Sequence, residues 1–335
     1  MVATLSDKFR VASFVAAVLV VLRHAHNLPA FFPAATEPAW LNGLEWGTIF
    51  WTDVAVPFFF FSSGFFFMRT DYVLEKKYLS MLGKKATSLL IPFVIWNLVG
   101  LCFLFVSDKE GNMGDDWQAW AYNFGMSKWY GPLWFVRDLM ILMLCYPLYG
   151  WLYRKAFQPV LLVIILWLMY SRWWPADISL LTAEGIIFFL LGGLFQHHSA
   201  ILTKKTPTIV TVILLVCWLI YSFNFTSWDK RIHQLSLLIG MPAFWLSLDL
   251  LPEVAKNFCK RMSKYSFLIY VTHFYLLKVL KVGTATIFAD NAIMATMAFF
   301  IIPIVLIFMI VLVGRYWQKL YAKSYSICMG GRRSM

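Results

Sequence analysis

Long apolar segments alternate with short polar connections along the whole chain. About 20 apolar residues are enough to cross the hydrocarbon core of a bilayer as a helix. By apolar length and by the positions of Gly, Pro and charged residues, the pattern predicts ten membrane-spanning helices. Their predicted ranges are 9–29, 48–68, 88–107, 133–153, 158–173, 182–198, 208–224, 233–251, 263–282 and 292–314. No connection is long enough for a soluble domain, so we expect an all-α integral membrane helix bundle that forms one domain over residues 1–335.

The composition supports this class of protein. Of the 335 residues, 61% are hydrophobic and 14% are charged, and the mean hydropathy is +0.69. Soluble domains have roughly 45–50% apolar and about 25% charged residues. The formal net charge of +12 does not indicate nucleic-acid binding, because the basic residues are concentrated in short loops between apolar segments. The five cysteines are scattered singly, so neither a disulfide framework nor a metal site is predicted.

The distribution of charge predicts the orientation in the membrane. On one side of the ten predicted spans lie both termini and 20 of the 29 Lys and Arg residues, including Lys76 and Lys204. The opposite loops carry acidic residues such as Asp115 and Asp229. Cytoplasmic loops are enriched in Lys and Arg. We therefore expect both termini in the cytoplasm.

The first predicted span contains ionisable residues that a lipid-facing helix would avoid. Arg10 lies near its start, and Arg23, His24 and His26 lie near its end. Arg23 can extend its charge to the membrane interface. The side chain of His24 is shorter, so a buried imidazole there needs a partner or a chemical role. His24 is therefore the leading candidate for a functional histidine in the membrane, and His273 in the middle of the ninth span is the second.

Six stretches of the chain resemble the acyltransferase 3 family of membrane enzymes. In chain order they are VVLRHA at 20–25, VPFFFFSSGFFF at 56–67, KATSLLIPFVIW at 85–96, GPLWFVRDL at 131–139, EGIIFFLLGGLF at 184–195 and YSFLIYVTHF at 265–274. Aromatic-rich apolar strings are common in membrane proteins, but these six occur in the family's order. The resemblance implies an O-acetyltransferase of the bacterial inner membrane. Such an enzyme moves acetyl from cytoplasmic acetyl-CoA to a sugar hydroxyl of a surface polysaccharide, such as O-antigen, or of its lipid-linked precursor.

The resemblance also implies roles for particular residues. The family's first span has an Arg, ten residues and then a His. Here His24 takes the second position, while the first falls on Ser13, and Arg10 lies nearly one helical turn before it. The family's Arg-x-x-Arg pair falls on Lys85 and Ser88. We therefore expect the phosphates of the donor to be bound by three basic residues, namely Lys84, Lys85 and Arg69.

Acyl transfer to a hydroxyl needs a base near that hydroxyl and stabilisation of the oxyanion. His24 is the expected base, because the ordinary pKa of an imidazole is about 6.5. Glu184 is expected to orient an imidazole or bind the sugar, although an acidic residue is also favoured at a helix N-terminus. Trp134, Arg137 and His273 are expected to contact the acceptor. Trp134 also fits an interfacial aromatic belt, and Arg137 could simply pair with the neighbouring Asp138.

Two alternatives stay open at this point. A transporter or flippase of a glycolipid or small metabolite would also place His and Arg inside the membrane. Against it, the sequence has no visible two-half repeat or matching pair of broken spans. The other alternative keeps the enzyme and changes the donor to succinyl or another acyl group.

Overall fold

A computed structural model describes residues 4–33, 36–107, 116–171, 180–224 and 230–331 of the chain. Every regular element within these ranges is helical. The α-helices are α1 Leu5–Arg23, α2 Leu28–Phe31, α3 Ala39–Thr52, α4 Ala55–Phe67, α5 Tyr78–Lys85, α6 Ile91–Val106, α7 Trp117–Gly125, α8 Trp134–Leu144, α9 Tyr146–Tyr149, α10 Gln158–Tyr170, α11 Ala183–His197, α12 Thr208–Asn224, α13 Lys230–Ser247, α14 Glu253–Met262, α15 Ser266–Ile287, α16 Ala292–Leu320 and α17 Ala322–Cys328. A π-helical turn, Ala86–Leu90, joins α5 to α6. The predicted all-α class is confirmed.

Several of these helices are long and apolar enough to cross a membrane. Within the described ranges there are four such stretches, three of which join consecutive helices: Ala39–Phe67 (α3 and α4), Tyr78–Val106 (α5 and α6), Glu253–Ile287 (α14 and α15) and Ala292–Leu320 (α16). The bent pair Gly131–Leu144 and Tyr146–Tyr153 is a fifth candidate if it forms one span. The chain is therefore an integral membrane protein by the length and composition of its helices. The number of ten spans and the cytoplasmic termini remain predictions. Asp115 and Asp229, on which the orientation partly depends, lie outside the described residues.

The end of the first helix differs from the predicted range of 9–29. Thr4 caps the start of α1 by accepting a hydrogen bond from the Asp7 backbone N–H, and the helix ends at Arg23. Residues 25–27 are not helical, and a new short helix begins at Leu28. Pro29 explains this break, because a proline has no N–H and clashes with the carbonyl four residues earlier. His24 and His26 therefore lie in a turn rather than on a helix.

The helices form two compact units. Unit 1 comprises residues 1–59 and 200–315, and unit 2 comprises residues 60–199 and 316–335. In unit 1, α1 packs against neighbouring helices through Phe9, whose ring centroid lies 6.3 Å from that of Phe58 and 4.9 Å from that of Trp245. By these bounds, the whole of α1 and the whole of α15 belong to unit 1.

In unit 2, α4 and α11 approach each other so closely that their backbones touch. A Cβ atom on Gly64 would lie 2.0 Å from the carbonyl oxygen of Phe189, and one on Gly192 would lie 2.0 Å from that of Phe61. Small residues allow such contacts between helices in a membrane. Close helix packing therefore explains the glycine at position 64 within the aromatic run at 56–67.

Candidate functional site

A cluster of polar side chains surrounds the C-terminal end of α1 in unit 1. We call it the histidine cluster, and its members are His24, His26, Asn27, Glu45, His273 and Lys281. The turn after α1 supplies the first three, α3 supplies Glu45, and α15 supplies His273 and Lys281. The two histidines singled out from the sequence are thus brought together.

The rings of His24 and His273 lie against each other. Their centroids are 5.2 Å apart and their planes are inclined by 41°. The ring of Phe274 meets His24 edge to face at a centroid distance of 5.5 Å. His24 is partly exposed, whereas His273 is fully buried, with 0% of its surface accessible. His273 therefore lies on the inner side of the half-buried His24.

The hydrogen bonds of His273 define which of its nitrogens carries the proton. Nδ1 lies 2.8 Å from the carbonyl oxygen of Tyr270 and 3.1 Å from that of Ile269. Carbonyl oxygens only accept, so Nδ1 is the protonated donor and Nε2 keeps its lone pair. That Nε2 atom is buried and has no hydrogen-bond partner among the described residues. Since buried polar atoms are usually paired, Nε2 is available to a proton donor that enters the cluster.

Lys281 fixes the turn that carries His24 and His26. Its Nζ atom donates to the backbone carbonyl of His24 at 3.1 Å and to that of His26 at 2.6 Å. The last carbonyls of a helix have no partner within the helix, and a cation near them is favourable. Lys281 therefore holds the backbone from which the His24 ring projects.

Glu45 and Asn27 hold the same turn from the other side. Glu45 is fully buried, and its Oε1 accepts a hydrogen bond from the Asn27 backbone N–H at 3.2 Å. Its Oε2 lies 3.2 Å from Nε2 of His26, a close contact that is not aligned as a hydrogen bond. Asn27 donates from Nδ2 to the carbonyl of Ala295 at 2.6 Å. Arg23, the last residue of α1, forms an ion pair with Asp53.

Arg10 is not part of the histidine cluster. It is exposed on α1, 14 residues before His24, and a helix rises about 1.5 Å per residue. About 21 Å along the helix axis therefore separates the two positions. The role that the resemblance implies for Arg10 stays a prediction.

Of the candidate site residues in unit 2, Arg137 belongs to a hydrogen-bond network with Asp138 and Thr182 at the start of α11. Thr182 caps α11 and donates from its backbone N–H and its hydroxyl to Oδ2 of Asp138, at 2.8 and 3.0 Å. The other oxygen of Asp138 accepts from Nε and Nη2 of Arg137, at 2.9 and 2.7 Å. Arg137 is buried, so this pairing supports the structural alternative to sugar binding. Glu184 lies in the first turn of α11, and Trp134 packs 6.0 Å from the ring of Phe60.

The three basic residues expected to bind donor phosphates also lie in unit 2. Lys84 is exposed and Lys85 half-buried in the last turn of α5, with the Nζ atom of Lys85 5.9 Å from the ring of Phe67. The guanidinium of Arg69 lies 4.6 Å from the ring of Phe66. Their binding to phosphate stays a prediction. Across the described ranges, no three His, Cys, Asp or Glu side chains are grouped so that they could hold a metal ion.

Sequence reasoning missed Glu45 and Lys281. Glu45 lies just before the predicted range 48–68, and Lys281 lies at the end of the predicted range 263–282. A signal was present, because both are ionisable residues within strongly apolar sequence, where charges are usually paired or functional. The opposite charges of Glu45 and Lys281 are compatible with a shared site, but nothing in the sequence indicates that α3 and α15 lie side by side.

Comparison with known proteins gives two matches. Residues 11–314 match the model of the acyltransferase 3 family, whose description is "Acyltransferase domain". The chain is also similar to the "Succinoglycan biosynthesis protein ExoH" of Rhizobium meliloti (strain 1021), with 22% identity over 262 residues, which are 70% of this chain and 69% of that protein. No solved structure matches the chain significantly.

Proposed function

The chain belongs to the acyltransferase 3 family, and from this premise we propose that it is a membrane O-acetyltransferase that acts on a polysaccharide. In this proposal acetyl passes from cytoplasmic acetyl-CoA to a sugar hydroxyl of a cell-surface polysaccharide such as O-antigen, or of its lipid-linked precursor. The membrane is the bacterial inner membrane. The observation that carries the proposal is the pairing of His24 with a buried histidine whose Nε2 has no hydrogen-bond partner among the described residues.

The histidine cluster is suited to general base catalysis. His24 takes the proton of the acceptor hydroxyl while the hydroxyl oxygen attacks the thioester carbonyl. The C–S bond of the tetrahedral intermediate then breaks, and the imidazolium returns the proton to the leaving thiolate. His273 stands next to His24. Once the imidazolium forms, the Nε2 atom of His273 accepts a hydrogen bond from it and so stabilises the cation. Because its Nδ1 is held by two carbonyls, His273 keeps this tautomer throughout.

The similarity to a protein named for succinoglycan biosynthesis supports a polysaccharide acceptor. It does not distinguish between acetyl and other acyl donors, so transfer of succinyl is the second candidate. A transporter without chemistry of its own is the weaker interpretation, because the chain belongs to a family of acyltransferases.

The proposal is tested by expressing the chain in a glycan-producing bacterium and measuring the mass of the surface glycan. We expect a mass increase of one acetyl group per modified sugar, which mild base removes because it cleaves esters. A matched strain carrying His24→Gln should show no increase. A base-labile increase that corresponds to succinyl would establish the second candidate. An unchanged glycan mass, with the protein present in the membrane, would contradict acyl transfer to that glycan.

A further inference from the structure

A cavity of about 780 Å³ lies in unit 1 around the start of α1, at the helix end opposite the histidine cluster. Three stretches of the chain line it: the first two turns of α1, residues 202–206 and residues 248–260. Binding sites for small molecules typically have volumes of about 300–1,000 Å³. The cavity is therefore large enough for an organic ligand rather than an ion alone.

Lysines dominate the charge of this cavity. Its lining contains five lysines, namely Lys8, Lys204, Lys205, Lys256 and Lys260, against three acidic residues, Asp7, Asp249 and Glu253. The excess of positive charge favours an anionic ligand. All five lysines belong to segments that the charge distribution predicts to be cytoplasmic.

Ion pairs hold three of the five lysines in place. Lys8 pairs with Asp249 at 2.7 Å, Lys256 with Glu253 at 3.2 Å, and Lys260 with Asp7 at 3.8 Å. The Lys8 side chain is only 14% exposed, and its Nζ lies 4.7 Å from the ring of Trp245. The carboxylate of Asp249 and the ring of Trp245 thus fix the position of the Lys8 ammonium group.

Lys204 and Lys205 differ from the other three. Both are exposed at the cavity rim, and within the described part of the chain neither makes an ion pair. Their ammonium groups are available to a ligand without breaking any contact. Leu5, Val11, Leu202 and Leu248 give the same cavity an apolar wall. The combination fits a molecule with phosphate groups and an apolar portion.

We propose that this cavity binds a phosphate-bearing ligand, with Lys204 and Lys205 as its first contacts. Ammonium groups are common phosphate ligands and form charge-assisted hydrogen bonds with phosphate oxygens. On the proposed function, on which this identification rests, the ligand is the nucleotide end of acyl-CoA. The headgroup of an anionic phospholipid carries the same phosphate chemistry. None of Lys84, Lys85 and Arg69 lines this cavity, so the proposal replaces these three residues as the site for the donor's phosphates.

The test measures binding of CoA itself to the full-length protein in lipid nanodiscs by isothermal titration calorimetry. No acyl acceptor is present, so the result does not depend on acyl transfer. A double variant, Lys204→Gln with Lys205→Gln, should weaken CoA binding about tenfold or more, because the charge-assisted hydrogen bonds to the phosphate oxygens are lost. The matched control is Lys319→Gln with Lys323→Gln, two exposed lysines that do not line the cavity. CoA should bind to this control as it does to the unmodified chain.

A second arm measures binding of phosphatidylglycerol to the same variants by native mass spectrometry. Weaker lipid binding with unchanged CoA binding in the Lys204 and Lys205 variant would support the phosphate site and identify a lipid as its ligand. Unchanged binding of both ligands would overturn the proposal. Weaker CoA binding combined with an unmodified surface glycan would support the cavity and contradict acyl transfer to that glycan.

Discussion

The ring of His24 rests against the ring of His273 at a centroid distance of 5.2 Å, although one follows the first helix and the other lies on α15. The contact joins a half-buried histidine to one that is fully buried. Because Nδ1 of His273 is fixed by backbone carbonyls, only its Nε2 remains to interact with a neighbour. This relationship makes the roles of the two histidines separable by mutation.

Replacing His24 with Gln should abolish acyl transfer. An amide keeps hydrogen bonding and approximate shape but cannot take up a proton at neutral pH. Loss of a general base typically costs about 10²–10⁴-fold in rate. The measurement is glycan acylation in membranes that contain equal amounts of each protein. Near-normal acylation by His24→Gln would mean that His24 has a packing role.

His26→Ala is the matched control for His24 and should reduce acylation only several-fold. His26 lies in the turn that follows the end of α1 at Arg23. His26 contacts Glu45, while the turn is also held by the bonds from Lys281 and Asn27. Equal losses for His24→Gln and His26→Ala would show that both act only through the conformation of the turn.

His273→Asn should lower the turnover number by about 10²-fold, the low end of the range for general acid–base catalysis, because the imidazolium of His24 loses the acceptor that stabilises it. Thermal stability should change little. The Asn amide N–H₂ can still donate to the carbonyls that now bind Nδ1, while the acceptor at the Nε2 position disappears. Turnover number, KM and melting temperature of the purified protein are measured together. A large fall in melting temperature without a change in turnover would assign His273 a structural role only.

Lys281→Met should lower both acylation and melting temperature, because two carbonyls at the end of α1 lose their donor. An unsatisfied buried polar group costs about 1–3 kcal/mol. Lys281→Arg keeps the charge and the N–H donors and should restore part of both properties. Lys278→Met, which removes an exposed lysine from the same helix, serves as the control. Equal effects of Lys278→Met and Lys281→Met would contradict a specific role for Lys281 in the turn.

Gly64→Ala and Gly192→Ala should each destabilise the protein, because the new methyl group would meet a carbonyl oxygen of the facing helix. Overpacking of this kind typically costs about 1–3 kcal/mol. Gly83→Ala is the control, since a Cβ at that helical position meets no atom within 4 Å. Its melting temperature should stay the same or rise slightly, given the higher helix propensity of Ala. Melting temperatures in detergent test the three variants, and tolerance of Ala at position 64 or 192 would contradict the backbone contact.

The orientation predicted from charge is tested with single cysteines and a membrane-impermeant thiol reagent on intact cells. Cysteine at position 115 or 229 should be labelled, whereas cysteine at Lys76 or Lys204 should be labelled only after the cells are opened. Labelling at position 204 in intact cells would reverse the assignment of the two sides.

Apolar length and breaker residues were enough to predict most helices, because both act locally. The predicted range 208–224 agrees with α12, and 88–107 contains α6. The range 48–68 began too late, because Glu45 interrupts an apolar helix that starts at Ala39. Glu45 is accommodated there by the Asn27 backbone N–H and by His26, both supplied by a different segment.

Single residues of the candidate site could be predicted from the sequence, but the contacts between them could not. His24 and His273 were each chosen because an imidazole in an apolar segment requires an explanation. Their contact, and the bonds between Lys281 and the carbonyls of the turn, join parts of the chain 249 to 257 residues apart. Tertiary packing of α1 against α15 produces these contacts, and no local pattern encodes it.

The bond between Lys281 and His24 has a consequence for biosynthesis. The carbonyls at the end of α1 enter the membrane early, whereas their donor is synthesised 257 residues later. Residues 60–199, which belong to unit 2, emerge from the ribosome in between. Until α15 is inserted, these carbonyls therefore lack the donor that Lys281 supplies in the folded protein. A nascent chain stopped before α15 should expose this turn to quality-control proteases, so assembly of the site is among the last events of membrane insertion.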